Sequence, residues 1–209
     1  MGTQNLINWI TELRTNQKIK DKIDAKLAEF NSLKTKPERW FSELCYCILT
    51  ANSTAEMCMR VQQQIGNGFA NLPLKELKKR MKLASCRFYN KRSEYIIEAR
   101  EKFDPILVKQ LADKNPKRAR EWLVENIKGI GMKEASHFLR NIGYSIAIAD
   151  FHIVDILKRY GFIPAGIFLN RKNYIVIEEK LSEMAKRFNM SLGELDLYLW
   201  YMETGKILK

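Results

Sequence analysis

Between Asn126 and Ile153 the chain reads NIKGIGMKEASHFLRNIGYSIAIADFHI. Gly129 and Gly131 bracket one apolar residue, Lys133 follows two places on, and Asp150 stands 17 residues beyond that lysine. Glycines at these places permit backbone angles that a side chain forbids. A turn of that kind opening a helix exposes backbone N–H groups. With the helix dipole behind them they make an anion site suited to a DNA phosphate. Such a contact reads the nucleic-acid backbone and not its sequence. The stretch is not a dinucleotide fingerprint: a helix precedes it rather than a strand, and position 134 is glutamate where a third glycine would stand. A neutral amine can attack carbon, and a fixed carboxylate can stabilise positive charge. On the residues alone, a packing loop, a first-turn surface lysine and a helix-capping aspartate remain open alternatives.

The elements that must position these groups read as helices almost throughout. Apolar residues recur every three or four places, which is the helical period. Leu6, Ile10 and Leu13 fit a first short helix, and Ile19, Ile23, Leu27 and Phe30 a second. Pro37 precedes a strongly apolar helix with Trp40, Phe41, Leu44, Cys45 and Ile48. Met57, Val61 and Ile65 form a stripe closed by Gly66 and Gly68; Leu74, Leu77 and Met81 follow Pro73; Tyr95, Ile96, Ala99 and Phe103 continue the pattern. Trp122, Leu123 and Ile127 lead into the glycines, and Ala135, Phe138, Leu139 and Ile142 lead away from them. Ile153, Ile156, Leu157 and Tyr160 make a further face, as do Tyr174, Ile177, Leu181 and Met184. Ser191 and Glu194 form a capping box before Leu192, Leu195, Leu199 and Met202. Only YSIAIAD and KNYIVIE have the composition of short strands, and neither has a clear partner. The expected fold class is all-α.

The 209 residues suffice for one domain or two joined halves with a real core. Lys and Arg number 36 against 24 Asp and Glu, a formal net charge of +12, which favours a polyanionic partner, most often nucleic acid. No stretch approaches the roughly 18 apolar residues of a membrane span. The N-terminus MGTQNLINWITELRTNQ lacks the features of a secretory signal and, with Leu6, the myristoylation pattern. The default location is cytoplasmic. Cys45, Cys47, Cys58 and Cys86 match no zinc or iron–sulfur spacing and read as buried thiols in a reducing compartment.

Ile127-Lys128-Gly129-Ile130-Gly131-Met132-Lys133 resembles the hairpin of the helix–hairpin–helix DNA glycosylases, the superfamily that includes endonuclease III. The family hairpin is apolar–Pro–Gly–apolar–Gly, followed after one residue by lysine in bifunctional members; Lys128 stands where many members have proline. Asp150, in ADFHI, matches the family aspartate that opens a later helix. NIKGIGMKEASHFLRNIGY together with RFYNKRSEYI, CILTAN and LDLYLWY is similar to one branch, the short type 2 8-oxoguanine DNA glycosylase/lyases common in archaea. The similarity runs from about Trp40 to the C-terminus. Phe151 departs from that branch, which has arginine there.

The resemblance implies two helical subdomains flanking a DNA-binding cleft. It places a helical barrel at about 40–143, ending in the hairpin at 121–142, and joins 1–39 to 144–209 as the other half. It assigns Lys133 as the nucleophile that attacks C1′ and forms a Schiff base, for which the amine must be neutral; a partly desolvated site favours that form. It assigns Asp150 to stabilise the charge on the sugar and help move the amine's proton. The family fold is what brings the two together. Lys128, Gly129, Ile130 and Gly131 are the expected DNA-backbone contacts. Because the target base must leave the stack, Phe88 is the candidate wedge and Arg87 the contact to the opposite base, with Lys91 and Arg92 serving phosphates; Phe88 as a core aromatic remains the alternative. Trp200 is a candidate for stacking on the extruded base, with core packing as its alternative. His137, four residues after Lys133, either lines the site or packs, and His152 leans toward structure.

Lys209 ends the segment ETGKILK and offers a terminal carboxylate, a backbone carbonyl and an ammonium. The type 2 enzymes end in lysine here, which suggests a base pocket that includes Lys209; a frayed tail is the alternative. No cofactor or metal is required for the chemistry, and a monovalent cation at backbone carbonyls near Glu125, Ile127 and Ile130 is a family-level implication. The missing C-terminal cysteine set argues against an iron–sulfur cluster. The expected partner is double-stranded DNA containing 8-oxoguanine, acted on by a monomer without a membrane. The rival readings are an endonuclease III-like enzyme for oxidised pyrimidines and a non-catalytic DNA-binding module.

Overall fold

Capping residues written into the sequence set several of the helix starts. A computed structural model describes residues 2–209, and among them are thirteen α-helices, one 3-10 turn and no strand. The helices are α1 (Thr3–Thr15), α2 (Gln17–Leu33), α3 (Trp40–Thr50), α4 (Ala55–Ile65), α5 (Gly68–Asn71), α6 (Leu74–Leu83) and α7 (Tyr89–Lys102). They continue as α8 (Pro105–Lys114), α9 (Pro116–Asn126), α10 (Met132–Asn141), α11 (Phe151–Arg159), α12 (Arg171–Phe188) and α13 (Leu192–Thr204). Side-chain oxygens of Thr54, Asp104, Asn115, Asp150, Asn170 and Ser191 accept first-turn N–H groups of α4, α8, α9, α11, α12 and α13. Each such cap is worth about 1 kcal/mol. No helix among the described residues is long and apolar enough to cross a membrane.

The chain divides into two compact units. One comprises Asn31–Tyr144. At its centre is α3, on which Trp40 and every residue from Glu43 to Thr50 are buried. A helix buried on all sides explains why Cys45 and Cys47, although two residues apart, are both in the core. α4, α5, α7 and α10 pack around it, α9 lies against both α8 and α10, and α6 pairs with α7. Trp40 meets Phe138 and Tyr144 edge-on and donates its indole N–H to the Leu33 carbonyl at 2.7 Å. A polar stitch runs beneath α10: the Glu43 carboxylate accepts from Gln62 at 3.0 Å and from Asn141 at 3.3 Å.

The other unit comprises the chain up to Phe30 together with Ser145–Lys209. Here α13 touches α1, α11 and α12. Ile19, Ile23, Phe30, Leu197 and Tyr198 form a core cluster, against which Leu13, Leu27, Met190, Tyr201 and Ile207 pack. Neither expected strand forms. KNYIVIE lies inside α12, where Tyr174, Ile177, Leu181 and Met184 are buried at helical spacing, and that burial outweighs its β-branched composition. The extended stretch before Asp150 forms no ladder; Ile146, Ala147, Ile148 and Ala149 are buried, and the Tyr174 hydroxyl pins them. It accepts the Ala149 N–H at 3.2 Å and donates to the Ala147 carbonyl at 3.3 Å. Between Phe103 and Trp122, where no apolar stripe predicts an element, α8 forms. Its signal is an Asp104 cap followed by proline at the first helical position.

Candidate active site

In the Asn31–Tyr144 unit, α9 runs out at Asn126, and the Ile127 N–H closes its last turn on the Leu123 carbonyl at 2.9 Å. The Ile130 N–H then folds back to the Ile127 carbonyl at 3.3 Å. Ile127 and Ile130 bury their side chains, so Ile130 can offer DNA only its backbone. Gly129 has φ +83°, and a Cβ built there would stand 2.7 Å from Tyr95 Cδ2 on α7. Both backbone angle and close approach therefore demand glycine. Gly129→Ala is expected to cost about 2 kcal/mol. At this chain length that is a fall in Tm of roughly 4–8 °C. Thermal unfolding checks it, and an unchanged Tm would show that the turn relaxes freely.

The second helix, α10, opens with Lys133 in its first turn. Ala135, Ser136, Phe138 and Leu139 face the core and fix the helix, while the Lys133 side chain keeps 26% of its surface exposed. The Lys133 ammonium lies 3.9 Å from the Glu134 carboxylate. That same carboxylate accepts the Gly131 N–H at 3.2 Å. This corrects one expectation: the Gly131 amide is already held by an anion, so the hairpin's N–H groups do not all face outward for a phosphate. Lys128 is exposed and bonds Glu98 at 2.9 Å, and Glu98 raises its pKa.

His137 is 8% exposed and meets Tyr46 edge-on at 5.6 Å. Of its two alternatives this is packing; a buried imidazole presents no face to a base. The thiols near α10 do not compete with an amine. Burial pushes Cys58 up to about 11, so it is protonated at neutral pH, and it donates to the Leu49 carbonyl. Burial likewise raises Cys45 and Cys86. The last-turn carbonyls of a helix lack intrahelical partners. Carbonyl oxygens such as those of Glu125, Ile127 and Ile130 are neutral hard donors, the type of ligand that a monovalent cation at the hairpin would require.

Phe88 caps α7 in the left-handed conformation (φ 56°) and is 56% exposed. It is not a core aromatic. Arg87 is exposed beside it and donates to the Asn52 carbonyl at 3.0 Å. Lys91 is exposed, but Arg92 is buried at 4% and turned inward, so the expectation that it serves a phosphate is wrong.

In the other unit, Asp150 caps α11, with Oδ1 accepting the Ile153 N–H at 2.9 Å. That bond fixes the carboxylate at the positive end of the helix dipole. The next two residues form an aromatic set: His152 lies 4.0 Å from Phe151 and meets Trp200 of α13 edge-on at 5.1 Å. Farther along α11, Arg159 grips Glu203 of α13 with two bonds of 3.2 Å. Trp200 is half-buried, as is Lys209. The final segment is not a frayed tail. Gly205 turns at φ +68°, Lys206 N–H bonds Thr204 Oγ1 at 3.2 Å, and Ile207 packs on the core cluster.

An all-α fold with a glycine-turned helix–hairpin–helix and a lysine opening its second helix defines the class of helix–hairpin–helix DNA glycosylases. Within it, the family model described as 8-oxoguanine DNA glycosylase matches residues 23–190, and the chain belongs to that family. It is 51% identical over 207 residues to the 8-oxoguanine DNA glycosylase/AP lyase of Methanocaldococcus jannaschii, covering 98% of this chain and 99% of that protein. The crystal structure of the M. jannaschii 8-oxoguanine glycosylase/lyase with a 15mer DNA containing 8-oxoguanine is similar at a TM-score of 0.90 and 48% identity, covering 98% of this chain and 99% of that one. The 8-oxoguanine DNA glycosylase of Thermotoga maritima is similar at a TM-score of 0.89 and 40% identity, covering 99% and 100%.

Proposed function

We propose that this protein repairs DNA by excising 8-oxoguanine from the duplex and cutting the abasic strand, with Lys133 as nucleophile and Asp150 as the stabilising carboxylate. The observation that carries this reading is the full-length similarity to a relative whose crystal structure holds DNA containing 8-oxoguanine. The Lys133 amine forms a bond to C1′ as the bond from C1′ to the base breaks. The base leaves with that electron pair and takes up a proton. Positive charge on the sugar is stabilised by the Asp150 carboxylate, which also takes the proton shed by the amine. Ring opening gives the Schiff base, and loss of a C2′ proton expels the 3′ phosphate.

Phe88 fills the gap left by the extruded nucleotide, and Arg87 contacts the opposite base. Lys128, Lys91 and the hairpin backbone at Gly129 serve phosphates, and Trp200 stacks on the base. A monovalent cation on the carbonyls of Glu125, Ile127 and Ile130 would hold the hairpin and add positive charge there. The protein acts as a monomer on double-stranded DNA. Single-turnover excision on duplexes carrying either 8-oxoguanine or thymine glycol tests the substrate: preference for 8-oxoguanine is expected, and preference for thymine glycol would assign the enzyme to oxidised pyrimidines.

Lys209 completes the base pocket in this reading. 8-Oxoguanine carries a hydrogen on N7 where guanine has a lone pair. A site with an acceptor there rejects guanine far better than shape does. What supports the placement is that the terminal segment is folded and half-buried. Deleting Lys209 is expected to lower the excision ratio of 8-oxoguanine over guanine by at least tenfold, or about 1.4 kcal/mol, while DNA affinity changes much less. An unchanged ratio would place the discriminating acceptor elsewhere.

A further inference from the structure

The structure assigns Arg92 as a positioning residue: its buried guanidinium clamps two loops together and holds Phe88 outward for insertion into DNA. This rests on the reading of Phe88 as the wedge.

Four residues other than glycine have positive φ among the described residues, and three of them, Asn52, Ser85 and Phe88, lie in the two loops concerned, α3–α4 (51–54) and α6–α7 (84–88). A bulky aromatic in the left-handed region is an outlier that persists only where its surroundings hold it. Arg92 supplies the hold. Its backbone N–H bonds the Phe88 carbonyl at 3.1 Å, making the first turn of α7. Nη2 donates to the Ala51 carbonyl, and Nη1 and Nη2 reach Ser53 Oγ at 3.0 and 3.1 Å. Nη1 also lies 3.8 Å from Cys86 Sγ. The guanidinium carbon stands 5.5 Å from the centre of the Phe88 ring. Arg87 adds a second tie from outside, to the Asn52 carbonyl and to the same ring at 5.2 Å.

A planar, always-charged fork suits this work, because one group must reach a carbonyl, a hydroxyl, a thiol and a ring face at once. Lysine keeps the charge but not the fork. An inserted side chain has most to do when a stacked base must be extruded, and least when the base is already gone.

The test is single-turnover kinetics of Arg92→Lys, on a duplex with 8-oxoguanine and on one with a preformed abasic site. Excision from the 8-oxoguanine duplex is expected to slow by about tenfold or more, with strand cleavage at the abasic site changed less than about threefold. Fluorescence of a 2-aminopurine placed next to the lesion is expected to lose its rise on binding. Combined with Phe88→Ala, Arg92→Lys is expected to add no further loss, since both remove one wedge. Ser53→Ala deletes one acceptor without uncovering the buried charge and is expected to give the same pattern at smaller amplitude, which serves if Arg92→Lys folds poorly. If Phe88→Ala is slow while Arg92→Lys and Ser53→Ala extrude and excise normally, or if the losses add in full, the clamp is overturned. If Phe88→Ala itself is normal, the wedge reading fails instead.

Discussion

Lys133→Gln is expected to abolish borohydride trapping on damaged duplex and to lower single-turnover excision by at least about 10³-fold. Glutamine keeps the length and polarity of the side chain and nearly the same helix propensity, but its amide nitrogen cannot form a Schiff base. The fold should survive, because the face of α10 that packs is Ala135, Ser136, Phe138 and Leu139, not Lys133. The lost pairing with Glu134 at 3.9 Å is partly solvated and worth at most about 1 kcal/mol. Damaged-DNA affinity is expected to remain within a few-fold. Trapping at the level of the unmodified protein would show that another amine carries the chemistry.

Asp150→Asn is expected to slow excision by on the order of 10²-fold or more without loss of stability. The two effects separate because the proposed catalytic task is added to the structural one. As a helix cap it presents one oxygen to the Ile153 N–H, and asparagine caps as well as aspartate. As a stabiliser of the charged sugar it must be an anion, and asparagine is neutral. Asp150→Ala loses both, so it should be destabilised by about 1 kcal/mol in addition. Thermal unfolding and single-turnover rates on the same three proteins decide it. A near-normal rate for Asp150→Asn with an unchanged Tm would leave Asp150 only its structural task.

The helices that carry these groups were legible because their signals are local. A glycine turn, an aspartate before an apolar stripe and a serine cap are each read within one helical turn of sequence. Burial is a different matter, since it depends on what the rest of the chain brings alongside. Arg92 illustrates the failure: in RFYNKRSEYI it has the charge of a phosphate contact, and nothing nearby in sequence reveals the carbonyl of Ala51 and the hydroxyl of Ser53 that draw it inward. His137 is the same case, one turn from Lys133 yet packed on Tyr46. KNYIVIE misleads in the opposite sense, its β-branched run outweighed by an Asn170 cap and a buried stripe of period near four. The hold of Glu134 on the Gly131 amide also has a local signal: a glutamate three residues after the turn residue is half of a capping box. For the terminal segment, composition favoured a solvated tail, whereas Ile207 finds a place on the core cluster.

The most direct measurement is to identify the residue that becomes attached to DNA. The protein is incubated with an 8-oxoguanine duplex, reduced with borohydride and digested, and the cross-linked peptide is sequenced by mass spectrometry. The expected adduct is on Lys133, in a peptide of the α10 segment, with no adduct from an undamaged duplex. An adduct on any other lysine or on the N-terminal amine, or excision of 8-oxoguanine with no reducible adduct at all, would contradict the assignment of Lys133 as the nucleophile.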